Sequence, residues 1–194
     1  MRAAVVDDDI VRTRRNIMQA NSSRAGERPS SWQHAVALAL VAAGIEIACW
    51  VPDKRLAPIA AALEEMGVPL RTLAREEECV GFAAGYRAAG GSPAVLMQCS
   101  GLGNSVNALG SLATPFGFGF VMILSMRGTL GERNPAQVEL GRNTKPMLAL
   151  FRIQTFSISS VDDVDRVVKG AYALADGARQ VVAIVLEPEL ELTR

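Results

Sequence analysis

Three consecutive glutamates, Glu76, Glu77 and Glu78, follow Arg75 where a predicted strand gives way to a predicted helix, and the chain runs on through Cys79-Val80-Gly81-Phe82-Ala83-Ala84-Gly85-Tyr86. Carboxylates at a helix start complement the positive end of the helix dipole. A carboxyl drawn partly out of water beside a ligand has another use, since it can take part in proton transfer. A second constellation, Gln98-Cys99-Ser100-Gly101-Leu102-Gly103-Asn104-Ser105, lies at the next strand-to-helix junction. Backbone amides at such a junction can face an anion. Two further polar groups end strands: Asp53 and Lys54 after Val51-Pro52, and Arg127 at the head of a Gly/Pro-rich stretch that contains Gln137.

Several chemistries are excluded by the same residues. A dinucleotide fingerprint needs a third glycine where Val106 stands, and an acidic residue where the following strand ends in Leu124-Ser125-Met126. No G-x-x-x-x-G-K-[ST] phosphate loop occurs. His34, the single histidine, sits beside Trp32 and Val36 and reads as a packing or surface residue, which leaves no Ser-His-Asp triad and no metal site. Cys49, Cys79 and Cys99 are far apart and lie in or beside apolar runs, so they are expected to be buried, reduced thiols in a cytoplasmic protein. Twenty basic residues balance twenty acidic ones. Such a surface has no net field to draw in nucleic acid or an anionic membrane. The longest apolar runs, such as Phe116 to Leu124, are short and interrupted by glycine, so neither an export signal nor a membrane anchor is expected.

The elements that must position these groups follow from periodicity. The chain has 194 residues, nearly half of them hydrophobic with few aromatics, which fits one α/β layer domain. Residues 1–30 carry mixed charge and read as an N-terminal extension, helical at best over Asp9 to Ala20; residues 31–194 form the domain. Ser30 or Ser31 caps a helix that ends at Ala43-Gly44, and a strand from Glu46 to Val51 follows. Helices are predicted over Leu56 to Met66, Glu76 to Ala89, Asn104 to Leu112 and Val161 to Ala175. Further strands are predicted over Pro69 to Leu73, Ala94 to Gln98, Phe118 to Ser125 and Val181 to Leu186. Arg127 to Lys145 reads as a long loop with one helical turn near Ala136 to Leu140. Ala94 to Met97 and Val121 to Leu124 are apolar without alternation, so both sheet faces are covered. The stretch containing Phe151 and Phe156 has no clear period, the tally is about six strands, and the expected fold is a three-layer α/β/α domain around a central, mainly parallel, six-stranded sheet.

The stretches Arg75 to Tyr86 and Leu96 to Ser105, read together, resemble the pyrimidine-binding (Pyr) domain of thiamine-diphosphate decarboxylases. The likeness is greatest to the sulfopyruvate decarboxylase alpha subunits, then to phosphonopyruvate decarboxylases. Val51-Pro52-Asp53 is similar to that family's turn after the first strand, and Arg127-Gly128, Asn134-Pro135-Ala136-Gln137, Gly141 and Thr144 fit its polar loop. The resemblance covers Ser31 to the C-terminus.

It implies a thiamine-diphosphate cofactor and a 2-oxo acid substrate. In the family the activating glutamate precedes a Gly-Tyr pair by nine residues, which from Gly85-Tyr86 lands on Glu76, with Glu77 as second choice. Its carboxyl hydrogen-bonds N1′ of the aminopyrimidine and favours the imino tautomer, whose 4′-nitrogen takes the C2 proton. A mostly buried carboxyl suits that task. Ser100, Gly101, Leu102, Gly103 and Asn104 would line the cofactor, and Asp53, Lys54, Arg127 and Gln137 the substrate; guanidinium forks suit a sulfonate, phosphonate or carboxylate. The family's Gly-Asp-Gly…Asn motif, which holds Mg2+ and the diphosphate, does not occur here: Asp176-Gly177 has no glycine before it and no asparagine after it. A separate diphosphate-binding beta subunit is therefore implied, in a hetero-oligomer, with the chain self-associating when alone. Two rival roles share this fold: a thiamine-dependent carboligase or transferase subunit, and a non-catalytic structural or regulatory subunit.

Overall fold

The computed structural model describes residues 29–191. The helical reading of Asp9 to Ala20 lies outside the described residues. Helix α1 (Trp32–Ala43) opens where the Ser31 hydroxyl accepts a hydrogen bond from the His34 amide and closes at Gly44, whose φ of 100° is a left-handed value that glycine adopts without steric cost. His34 keeps a local role, with Nδ1 facing the Ser30 hydroxyl at 3.1 Å. Strand β1 (Ile47–Trp50), helix α2 (Ala57–Glu65) and strand β2 (Leu70–Thr72) follow, each a residue or two shorter than its predicted span.

Helix α3 (Glu76–Ala88), strand β3 (Pro93–Gln98) and helix α4 (Gly101–Ala108) carry the two principal constellations. Here one expectation is corrected: Gly101-Leu102-Gly103 is the first turn of α4, not a turn before it, and the helix passes at Leu109–Ala113 into a π-helical turn. Strand β4 (Val121–Ser125) begins three residues later than expected. The larger correction concerns Arg127 to Lys145. Helix α5 (Pro135–Leu150) occupies most of it. Pro135 stands in the first turn, where its missing N–H costs nothing, and the Asn134 side chain caps the helix through the Ala136 amide. Strand β5 (Gln154–Ile158), helix α6 (Val164–Gly177), entered through a short 3₁₀ turn, and strand β6 (Val182–Leu186) complete the chain.

All six strands pair in parallel in the order β2-β1-β3-β4-β6-β5. Alternate strand residues serve opposite layers. Leu96, Val121, Ile123 and Ile184 pack under α1, α2 and α6, whereas Val95, Met97, Met122 and Leu124 pack under α3, α4 and α5. The chain leaves β1 toward β2 and leaves β3 toward β4, in opposite directions across the sheet. A crevice therefore opens between the carboxyl ends of β1 and β3, the place where open α/β sheets receive ligands. Among the described residues no helix is long and apolar enough to cross a membrane.

Candidate functional site

The three glutamates divide their work at the start of α3. Glu78 turns back to accept hydrogen bonds from the amides of Ala74 and Arg75, both at 3.0 Å, and so satisfies donors that the helix leaves unpaired. Glu77 pairs with the exposed Arg75 guanidinium at 3.0 Å, and its Oε2 is buried without a hydrogen-bond partner among the described residues. Glu76 alone reaches across to α4. Its Oε2 accepts from Asn104 Nδ2 at 2.9 Å, and a Cβ on Gly101 would collide with its Cγ. Gly101 is therefore a shelf that only glycine can provide. Among the described residues Glu76 Oε1 accepts no hydrogen bond, so a half-buried carboxyl is held by one oxygen and offers the other.

Around it, Gly103 and Asn104 are exposed, Ser100 is half-buried, and Gly101 and Ser105 are buried. The Leu102 side chain, 1% exposed, belongs to the core beneath, so only its backbone borders the site.

The second group gathers at the carboxyl ends of β1, β4 and β6. A cavity of about 520 Å³ is lined there by residues that include Asp53, Lys54, Arg55, Arg127 and Glu132. Three of the four expected substrate residues thus come together; Gln137 does not line it. The backbone of Gln137 instead abuts Gly128, where a Cβ would strike its carbonyl oxygen. Asp53 is fully engaged within the protein: Oδ1 accepts from Ser125 Oγ at 3.0 Å and from the amides of Arg55 and Leu56, and Oδ2 accepts from Gln98 Nε2 at 2.9 Å. Arg127 is engaged as well, in a two-pronged pair with Glu132 at 2.8 and 3.0 Å. That pair, with the Asn134 amide, holds the Glu132 carboxyl down to about 2 and raises the Arg127 guanidinium further. Lys54 is exposed and forms no hydrogen bond or ion pair among the described residues.

Gln98, to which the sequence reading gave no role of its own, ties the two groups together, and Arg55, which it passed over, braces the cavity. Gln98 donates to Asp53 and accepts from Ser100 Oγ at 2.7 Å. Arg55 lies across the ends of β4 and β6, donating to the carbonyls of Met126, Leu186 and Glu187. The position of Gln98 at the tip of a buried strand was the one available signal. The cysteines are buried, and the Cys49 thiol, bonded to the Cys79 carbonyl at 3.4 Å, is pushed well up by its contact with Cys79 and by burial; it is no nucleophile.

Fold and site together define a doubly wound parallel α/β domain that presents a glycine-shelved glutamate at its carboxyl edge. Residues 31–132 match the family described as "Thiamine pyrophosphate enzyme, N-terminal TPP binding domain", and the chain belongs to that family. It is 34% identical over 154 residues to sulfopyruvate decarboxylase subunit alpha of Methanococcus maripaludis, covering 79% of this chain and 92% of the relative. To the subunit of the same name from Methanothermobacter thermautotrophicus it is 44% identical over 115 residues, 57% of this chain and 68% of the other. The solved 2-oxoglutarate:ferredoxin oxidoreductase of Magnetococcus marinus shares the fold at a TM-score of 0.65 and 15% identity, over 82% of this chain and 29% of that one.

Proposed function

We propose that this chain is the pyrimidine-binding subunit of a thiamine-diphosphate-dependent 2-oxo acid decarboxylase of the sulfopyruvate and phosphonopyruvate type. The observation that carries the reading is the Glu76 carboxyl, fixed through Asn104 and Gly101 with one oxygen still open. Once bound, the cofactor would supply the electron sink that decarboxylation of a 2-oxo acid needs. Glu76 holds a proton at the aminopyrimidine N1′, and Asn104 keeps its carboxyl from rotating away. Gly101 leaves room for Glu76 itself, and Gly103 and the backbone of Leu102 would border the ring. The diphosphate and Mg2+ fall to a beta subunit, because the Gly-Asp-Gly…Asn motif is missing from this sequence and relatives over most of its length are named alpha subunits. Lys54 is exposed at the cavity with no hydrogen bond or ion pair among the described residues and would meet the second acidic group of the substrate; Arg127 would first have to leave Glu132. Asp53 and Gln137 support the walls.

The test is hydrogen–deuterium exchange at the cofactor C2 in the assembled enzyme. Glu76→Gln keeps the volume of the side chain but not its acidic proton, and exchange should slow by about 10²–10⁴-fold. Glu77→Gln and Glu78→Gln should exchange as the wild type does. Normal exchange in Glu76→Gln would remove the central claim, and slow exchange in Glu77→Gln alone would move the role by one residue.

A further inference from the structure

A line of polar contacts runs from the centre of the sheet to Ser100, and the backbone of α4 carries it on to the residues that hold Glu76. Ser125 at the end of β4 donates to Asp53, which also takes the amides that open α2. Gln98 at the end of β3 donates to the other oxygen of Asp53 and receives the Ser100 hydroxyl. Ser100 is the residue before α4, and the next residue, Gly101, is the shelf under Glu76. One helical turn on, Asn104 grips the Glu76 carboxyl.

We propose that Gln98 is a positioning residue for Glu76. It locks the first turn of α4 to the β1–β3 crevice through Asp53 and Ser100. The proposal rests on the reading of Glu76 as the group that faces the cofactor.

The residue types are what this task requires. The Asp53 carboxylate can only accept, so it fixes which end of the Gln98 amide faces it. The amide oxygen must then point away, toward Ser100, and the serine hydroxyl acquires a single partner. Leu or Met at position 98 would fill the space and set no such direction. Glu at position 98 would oppose two carboxylates at hydrogen-bond distance, which disfavours charge on both. Among the described residues the other side-chain contacts of the α4 turn are the Asn104 bond to Glu76 itself and the bonds of Ser105 to the Gly101 carbonyl and the Met97 sulfur. A Gly-Leu-Gly start is also poorly held by helix propensity, since glycine costs about 1 kcal/mol relative to alanine in a helix. External fixation by Ser100 is what holds Gly101 and Asn104 at a constant distance from α3.

The experiment uses the enzyme assembled with its partner and thiamine diphosphate, and compares Gln98→Glu, the double variant Asp53→Asn/Gln98→Glu, and Ser100→Ala. Gln98→Glu should slow C2 proton exchange by up to about 10²-fold, the cost of misplacing a catalytic group by an ångström. The double variant reverses the polarity of the contact, with an amide donating to a carboxylate that still accepts from Ser100, and should bring exchange back to the wild-type rate. In the full chain without cofactor, the 13C carboxyl resonance of Glu76 should move in Gln98→Glu and return in the double variant. Wild-type exchange in a folded Gln98→Glu, or no recovery in a folded double variant, would overturn the proposal. If Gln98→Glu does not fold, Ser100→Ala decides: slowed exchange with a displaced Glu76 resonance supports the linkage, and an unchanged rate sinks it. Normal exchange in Glu76→Gln would instead refute the functional reading beneath it, whatever the Gln98 variants do.

Discussion

On one side of the sheet, α1, α2 and α6 cover Leu96, Ile123 and Ile184 with Leu40, Ile59, Leu63 and Val168, all without solvent exposure. On the other, α3, α4 and α5 cover Cys49, Met97 and Met122 with Val80, Leu102 and Leu148 and add a set of small buried residues: Cys79, Ala83 and Ala84 from α3, Gly101 and Ser105 from α4, Gly141 and Thr144 from α5. Branched aliphatic side chains maximise buried area and dispersion contacts. Small ones give up area and let backbones approach. Gly141 shows how closely, since a Cβ there would meet the Arg127 carbonyl and Gly128 Cα. The aliphatic layer contributes mainly stability, and the small-residue layer contributes geometry, because Glu76 and the Arg127 loop both depend on contacts with no room for a methyl group.

The division breaks down if a substitution in the aliphatic layer harms chemistry before stability. Leu40→Ala should lower unfolding free energy by about 2–5 kcal/mol, measured by urea titration, while the folded fraction keeps its C2 exchange rate. Gly101→Ala is the converse. Its methyl group would push Glu76 aside, so exchange should slow by up to about 10²-fold. Helix propensity would offset part of the strain, and the denaturation midpoint should move little. A large loss of stability with normal exchange would place Gly101 in the same category as Leu40.

The smallest effect concerns the Arg127–Glu132 pair at the rim. Its carboxyl is held at about 2 instead of its ordinary 4.5. A depressed acid stabilises the fold fully above its unfolded value and loses that contribution as the pH falls through the folded one. The stability difference between wild type and Glu132→Gln should therefore be constant above pH 4.5 and shrink as the pH approaches 2. A difference that grows on acidification would mean the pair is not formed in solution.

Much of the fold could be read in advance. Ser31 and Gly44 bracket α1 with the residues a helix start and stop demand, and continuous apolar runs marked β3 and β4 as covered on both faces. The register from Gly85-Tyr86 led to Glu76, the glutamate that the structure turns toward Asn104. Helix α5 was hidden because Pro135, Gly141 and Pro146 count as breakers in isolation. Pro135 is harmless at a first turn, and Gly141 is selected by a backbone neighbour that no local pattern reveals. The Asn134-Pro135 pair was a legible start signal. The saturation of Asp53 was invisible for a different reason: its partners, Gln98 and Ser125, come from other strands and are related to it only through the fold.

The strand order also governs how the molecule must come into being. Cys49 pairs with Val95, Val121 with Val182, and no two strands are joined by a hairpin. Contacts so distant along the chain demand that long loops close before any ladder rewards them, which slows folding. During synthesis the β4 flank destined for β6 stays bare until nearly the whole domain has emerged, and Val121 to Ser125, buried throughout in the folded chain, leaves apolar side chains and an unpaired edge exposed in that interval.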